Sequence, residues 1–132
     1  MKKVFVNGVF DLLHRKHIEL FNYAKFQGDI LYVGIDSDER VKQFKGSTRP
    51  IINQEDRKFL LENLKPIDEV FIFGSDEELT NLVYIINPDI MIVGSDYKNK
   101  RVIGSEHAKQ LLFFERQHGY STTQIIQSIT NR

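Results

Sequence analysis

Two histidines, His14 and His17, stand three residues apart after the run Gly8-Val9-Phe10-Asp11-Leu12-Leu13. Imidazoles change charge near neutral pH, and a pair on one side of a helix's first turn suits an anionic ligand. A helix start adds unpaired N–H groups and the positive end of its dipole. The apolar run of residues 4–6 precedes the motif, and a helix-like pattern follows it. Gly8 lets the backbone turn sharply between the two. This is the layout of a phosphate-handling turn, with two imidazoles placed to touch the phosphate. A capping pair at a helix end is the structural alternative. A shared metal ion is a third option, but no acidic cluster nearby completes a ligand set.

Three further stretches carry chemistry-bearing side chains. In Arg116-Gln117-His118-Gly119-Tyr120-Ser121-Thr122-Thr123, Ser121 with Gln124 fits a capping box that opens a last helix. The polar stretch from Ser37 to Arg57 holds Lys45, Gly46, Arg49 and Pro50, and by itself reads as a solvated basic loop. The turn Gly94-Ser95-Asp96-Tyr97-Lys98, with Gly104-Ser105-Glu106 after it, admits Asp96 as a local cap.

The elements that must hold these stretches alternate along the chain. Strand-like runs fall at residues 4–6, 30–35, 69–73, 90–93 and 111–115. Helical patterns lie between them. Ile18, Phe21 and Ala24 lead up to Gly28, a short helix opens the 37–53 segment, and residues 54–64 place Phe59, Leu60 and Leu64 inward. Residues 76–86 form a helix stopped by Asn87-Pro88, and residues 121–129 form the last one. Strand–helix alternation at this interval predicts an α/β fold: an open, Rossmann-like, parallel five-stranded sheet with helices on both faces. Ligands of such sheets bind beyond the carboxyl ends of the strands, where the strand order reverses. The four stretches above all follow strand ends.

Composition sets the outer bounds. At 132 residues the chain is expected to form one domain, residues 1–132. Its 41% apolar content is that of a globule. A formal net charge of zero provides no basic field to recruit nucleic acid. No apolar run nears the roughly 20 residues of a membrane span. Met1-Lys2-Lys3 leads straight into a strand, without the h-region of a signal peptide. Absence of cysteine excludes disulfides, thiol catalysis and thiolate metal sites. A cytoplasmic enzyme or binding domain is the expected class.

Gly-x-Phe-Asp-x-Leu-His-x-Gly-His is the signature of the cytidylyltransferase-like nucleotidyltransferases. Residues 8–17 resemble it at every signature position except 16, where Lys16 replaces glycine. The resemblance implies that His14 and His17 contact the nucleotide's phosphates and stabilise charge at the transferred α-phosphate. Gly8, Val9, Phe10 and Asp11 then form a nucleotide-binding turn. The stretch from Arg116 resembles the second signature, Arg-Thr-Glu-Gly-Ile-Ser-Thr-Thr, in its arginine, glycine, serine and both threonines. That places Arg116 at the reacting phosphates and Gly119, Tyr120, Ser121, Thr122 and Thr123 around the β- and γ-phosphates. The 37–57 segment looks like the lid of sugar-phosphate nucleotidyltransferases. In that setting Lys45 and Arg49 close over the phosphates, and Arg57 holds the β/γ end. Asp36, Arg49, Asp96 and Tyr97 fall on the acceptor side.

Two branches of the family compete. The Gly-x-Asp-Tyr turn at Tyr97 is similar to the heptose 1-phosphate adenylyltransferase domains, whereas glycerol-3-phosphate cytidylyltransferases carry tryptophan there. Arg116 and the first helix resemble the latter. The implied reaction is transfer of a nucleoside monophosphate from ATP, or alternatively CTP, to a phosphorylated acceptor, with release of pyrophosphate. Mg²⁺ is expected through the nucleotide phosphates, with no metal held by the protein itself. The expected partners are a nucleoside triphosphate, a small phosphorylated substrate and a second copy in a homodimer, without nucleic acid or membrane. Lys16 motivates a reading of another class, an inactive nucleotide-binding module, because any Cβ intrudes where the family backbone approaches phosphate.

Overall fold

The computed structural model describes residues 1–115 and 121–132. Its elements run β1 (Lys3–Gly8), α1 (Arg15–Phe26), β2 (Ile30–Asp36), α2 (Asp38–Lys45), α3 (Gln54–Glu62), β3 (Glu69–Phe73), α4 (Asp76–Ile86), β4 (Ile90–Gly94), β5 (Gln110–Phe114) and α5 (Thr122–Thr130). Two short 3₁₀ turns, Ser95–Tyr97 and Ser105–His107, lie between β4 and β5. The helix starts are written locally. Ser37, Asn53, Ser75 and Ser121 each accept the backbone N–H three residues on, satisfying a donor the helix leaves open. Asn87 in the left-handed region closes α4 ahead of Pro88, as Asn-Pro predicts.

All five strands pair in parallel, in the order β3-β2-β1-β4-β5. This is the expected fold class. The chain builds outward from β1 through β2 to β3, then crosses back to place β4 on the other side of β1. The order therefore reverses between β1 and β4, and a crevice opens there at the carboxyl ends.

Alternate residues of each strand face opposite sides, so the sheet has two cores. Val4 and Val6 of β1 pack with Leu31, Val33 and Ile35 of β2 against Phe21 and Ala24 of α1 and Leu61 of α3. Phe5 faces the other way and joins Met91 and Val93 with Leu79, Val83 and Ile86 of α4. Two carboxylates lock strand starts. Asp89 accepts the Lys3 N–H and Asp68 accepts the Leu31 N–H. Burial raises the Asp68 carboxyl, but Lys25 and the Leu31 N–H together outweigh it and hold the group below its ordinary value.

One expected face is corrected. Phe59 and Leu60 were expected inward, yet they are 65% and 44% exposed. The inward line of α3 is Arg57 and Leu61, continued by half-buried Leu64 just beyond the helix. Apolar periodicity misplaces the face because a buried arginine occupies its first position.

Candidate active site

The turn after β1 is built around Phe10. Phe10 and Leu12 both have positive φ, 54° and 51°. A non-glycine residue held there stores strain, and such residues concentrate at functional sites. The left-handed backbone thus falls on Phe10 and Leu12, where glycine at position 8 was expected to make the turn. Gly8 has another function. A Cβ on it would lie 2.9 Å from the Phe10 ring. That ring is 7% exposed and sits edge-on to both His17, at 5.4 Å, and Phe21, at 4.9 Å. Gly8→Ala is therefore expected to cost about 1–3 kcal/mol by overpacking, read by urea denaturation, and to disturb the His17 ring that Phe10 supports.

His14 is the N-cap of α1 and His17 its third residue. His14 Nδ1 accepts the Lys16 N–H at 3.2 Å, and His17 Nδ1 accepts the His14 N–H at 3.3 Å. The two rings stack at 3.8 Å. A backbone N–H can only donate, so each neutral ring keeps its lone pair on Nδ1 and its proton on Nε2. The cap thereby selects the tautomer that turns each Nε2 into a donor.

Asp11 ties the turn to two distant segments. Its carboxylate, 2% exposed, accepts the N–H groups of Ile51, at 2.6 Å, and Ile52, at 2.9 Å. Its carbonyl accepts the Thr122 hydroxyl. That bond fixes the start of α5 beside the start of α1.

Between these helix starts lies a cleft of about 540 Å³, at the carboxyl ends of β1 and β4. It collects Gly8, Val9, Phe10, Asp11, His14, Lys16 and His17 from the first motif, and Ser121, Thr122 and Thr123 from the last. Asp36, Lys45 and Arg49 enter from the β2 side, and Tyr97 from the β4 side. Two expected residues lie elsewhere. Asp96 does not line the cleft. Arg57, expected at the β/γ-phosphates, is 1% exposed and lies behind the cleft wall. Its guanidinium donates to the carbonyls of Ile52, Val9 and Asp36 and to the Asp38 carboxylate, all at 2.8–2.9 Å. Arg116, Gly119 and Tyr120 lie outside the described residues.

Sequence reasoning missed Arg40, Asn7 and Arg101, all of which line the cleft. Arg40 donates from Nε to Asp36 Oδ1 at 2.8 Å and from Nη2 to Asp76 Oδ1 at 2.7 Å. Its guanidinium lies 5.0 Å from the Phe44 ring and 5.4 Å from that of Phe73. Burial pushes the Asp36 carboxyl above its usual range, against the pull of Arg40 and Arg57. The i,i+4 spacing of Asp36 and Arg40 was a usable signal, obscured because one residue ends a strand and the other opens a helix. Asn7 Oδ1 and Arg49 Nε are buried without a hydrogen-bond partner among the described residues.

Lys16 lies in the second position of α1, its side chain 16% exposed and its Nζ 2.6 Å from Glu19 Oε1. The ammonium is thus held at the cleft edge. Lys16→Gly is expected to weaken triphosphate binding about tenfold or more, the loss of one charge-assisted contact of roughly 1.5–3 kcal/mol. Glycine there also costs up to about 1 kcal/mol of helix stability, so calorimetric titration is paired with a melting curve. Tighter binding in the variant would instead mark Lys16 as an obstruction.

Comparison with known proteins agrees with this geometry. The family described as cytidylyltransferase-like matches residues 5–128. The chain is 48% identical over 128 residues to the bifunctional protein HldE of Helicobacter pylori strain J99, covering 97% of this chain and 27% of that one. It is 45% identical over 124 residues to the bifunctional protein HldE of a Nitratiruptor species, covering 94% and 27%. The chain thus spans about a quarter of the length of these relatives. Among solved structures, a lipopolysaccharide core biosynthesis protein from Thermoplasma volcanium superposes with a TM-score of 0.72 at 27% identity, over 89% of this chain and 99% of that one. An Archaeoglobus fulgidus protein of unknown function shares the fold, with a TM-score of 0.62 at 20% identity, over 92% and 94%. The matched signature, the parallel sheet and the paired helix starts lead to one statement: this chain belongs to the cytidylyltransferase-like nucleotidyltransferase family.

Proposed function

We propose that the chain transfers a nucleoside monophosphate from a nucleoside triphosphate to a sugar phosphate, with ATP and a heptose-type sugar 1-phosphate as its substrates. One observation carries the reading. The starts of α1 and α5 are tied together by the Thr122–Asp11 bond at the switch-point cleft, which two stacked imidazoles line. An acceptor phosphate oxygen forms the new bond to the α-phosphorus. The bond from that phosphorus to the bridging oxygen breaks, and pyrophosphate leaves with the electron pair. The attacking oxygen is already anionic, so no base has to remove a proton. What remains is positioning and neutralisation of charge. The Nε2–H groups of His14 and His17 donate to oxygens of the reacting phosphate. The N–H groups at the start of α5 and the hydroxyls of Ser121 and Thr123 receive the outer phosphates, and Lys45 and Arg49 close from the β2 side.

Members of this family use Mg²⁺. Among the described residues no three His, Asp or Glu side chains converge to hold a metal ion. Mg²⁺ is proposed to arrive on the triphosphate, and no step here is routed through it. No helix among the described residues is long and apolar enough to cross a membrane.

Tyr97 at the cleft supports a sugar acceptor, as does the likeness to the Thermoplasma lipopolysaccharide core biosynthesis protein. The test is pyrophosphate release in a matrix of ATP, CTP, GTP and UTP against sugar 1-phosphates and glycerol 3-phosphate. Turnover with ATP and a heptose 1-phosphate is the expected result. Turnover with CTP and glycerol 3-phosphate overturns the acceptor. Nucleotide binding without any release supports the second reading, an inactive binding module, which the Lys16 side chain in the cleft favours. A homodimer belongs to the same proposal and is checked by light scattering.

A further inference from the structure

We propose that Asp36, held by Arg40 against Asp76, forms a subsite for the hydroxyl-bearing, uncharged part of a substrate and sets which acceptor the cleft takes. The inference rests on the cleft being the nucleotidyl-transfer site. The first-motif side of that cleft is built for anions, with a helix start, His14, His17 and Lys16. The β2 side contains something a phosphate site does not need. Asp36 and Asp76 place two carboxylates, bridged by Arg40, beside a site for phosphates. A carboxylate offers only acceptors, and so does an ionised phosphate; the two repel. A hydroxyl donates, and it suits the carboxylate.

The geometry is fixed before any ligand arrives. Arg40 is clamped by two ion pairs of 2.8 and 2.7 Å and flanked by the Phe44 and Phe73 rings. Both its fork positions and its flat faces are engaged, so it acts as a positioning residue. The Asp36 side chain is 15% exposed and lines the cleft. A carboxylate can accept about four hydrogen bonds. Among the described residues Arg40 Nε is the one side-chain donor Asp36 has. The backbone N–H of Asp36 also contributes, the side chain lines the substrate cleft, and a hydroxyl is the neutral donor that a sugar supplies.

Hydroxyls come from two sources, the acceptor sugar and the ribose of the nucleotide. Calorimetric titration of the whole chain separates them. The probes are a heptose 1-phosphate, inorganic phosphate, ATP and 2′,3′-dideoxy-ATP. In the unmodified protein a heptose 1-phosphate is expected to bind at least tenfold more tightly than inorganic phosphate. Asp36→Asn is expected to shrink that ratio about tenfold, leaving inorganic phosphate as tight or tighter because a negative charge is gone. Collapse of the ATP to dideoxy-ATP ratio instead assigns the subsite to the ribose: the hydroxyl subsite stands and its control of the acceptor is overturned. Equal effects on all four probes, or no discrimination between them in the unmodified protein, overturn the subsite altogether. Arg40→Lys keeps the charge but not the fork that joins both carboxylates. It is expected to lose several-fold of the same ratio, measured below the melting transition of the variant because the fork and its ring contacts also carry stability, and an unchanged ratio removes Arg40 from the positioning role. Should Asp36→Asn fail to fold, the Arg40→Lys ratio decides. Hydroxyl discrimination without pyrophosphate release from any substrate pair would sink the transfer reading and leave the subsite standing.

Discussion

His17→Ala is expected to lower the rate of pyrophosphate release by about 10²–10³-fold, the usual loss when one donor to developing negative charge is removed, while nucleotide affinity changes only a few-fold. The reason lies in how the ring is held. Its Nδ1 accepts the His14 N–H, which fixes the proton on Nε2. Stacking on His14 at 3.8 Å and edge contact with Phe10 hold its plane. A donor so restrained cannot follow the ligand as charge moves; it is most useful where its position matches the transition state. The cap contact is lost as well, at about 0.5–2 kcal/mol of stability, so a melting curve must accompany the kinetics. Equal losses in binding and rate would make His17 a ground-state contact. An unchanged rate would remove it from the mechanism.

Arg57→Ala is expected to unfold the domain more readily by about 3–5 kcal/mol, the range for breaking a buried charged pair, with urea denaturation as the readout. The guanidinium joins Val9 of the first turn, Asp36 at the end of β2, Ile52 before α3 and Asp38 at the start of α2. Removal leaves three carbonyls without this donor and one carboxylate without its partner, in a site that is 1% exposed. Three segments lining or backing the cleft lose their common tie. Activity should fall with the folded population. A variant with full stability and weakened triphosphate binding would return Arg57 to the phosphate role that its place in the sequence suggested.

Contrasting fates of neighbouring residues separate local from long-range information. The turn of residues 8–17, the cap at Ser121 and the stop at Asn87-Pro88 are each specified by contiguous residues. Backbone N–H groups at a helix start and the spacing of two histidines are local properties, so the turn and the helix start it leads into were legible in the sequence. So was the parallel sheet, because alternation of strand and helix leaves few other ways to bury both patterns. Arg57 is buried away from the cleft, and the Asp11 carboxylate at the cleft is tied to backbone that the motif does not announce, for one physical reason. Both are charged residues in a motif region, and sequence cannot say whether a charge meets a ligand or the chain itself. Their partners lie 48 residues away for Arg57 and Val9, and 40 or more for Asp11 with Ile51 and Ile52. Arg40 was overlooked because one of its two carboxylates, Asp76, comes 36 residues later across β3. The sequence by itself determined the strand–helix alternation, the helix caps and the placement of the motif residues after strand ends. Only the tertiary structure decided which charges line the cleft and which brace it, because that choice depends on the strand order that brings β2, β1 and β4 side by side.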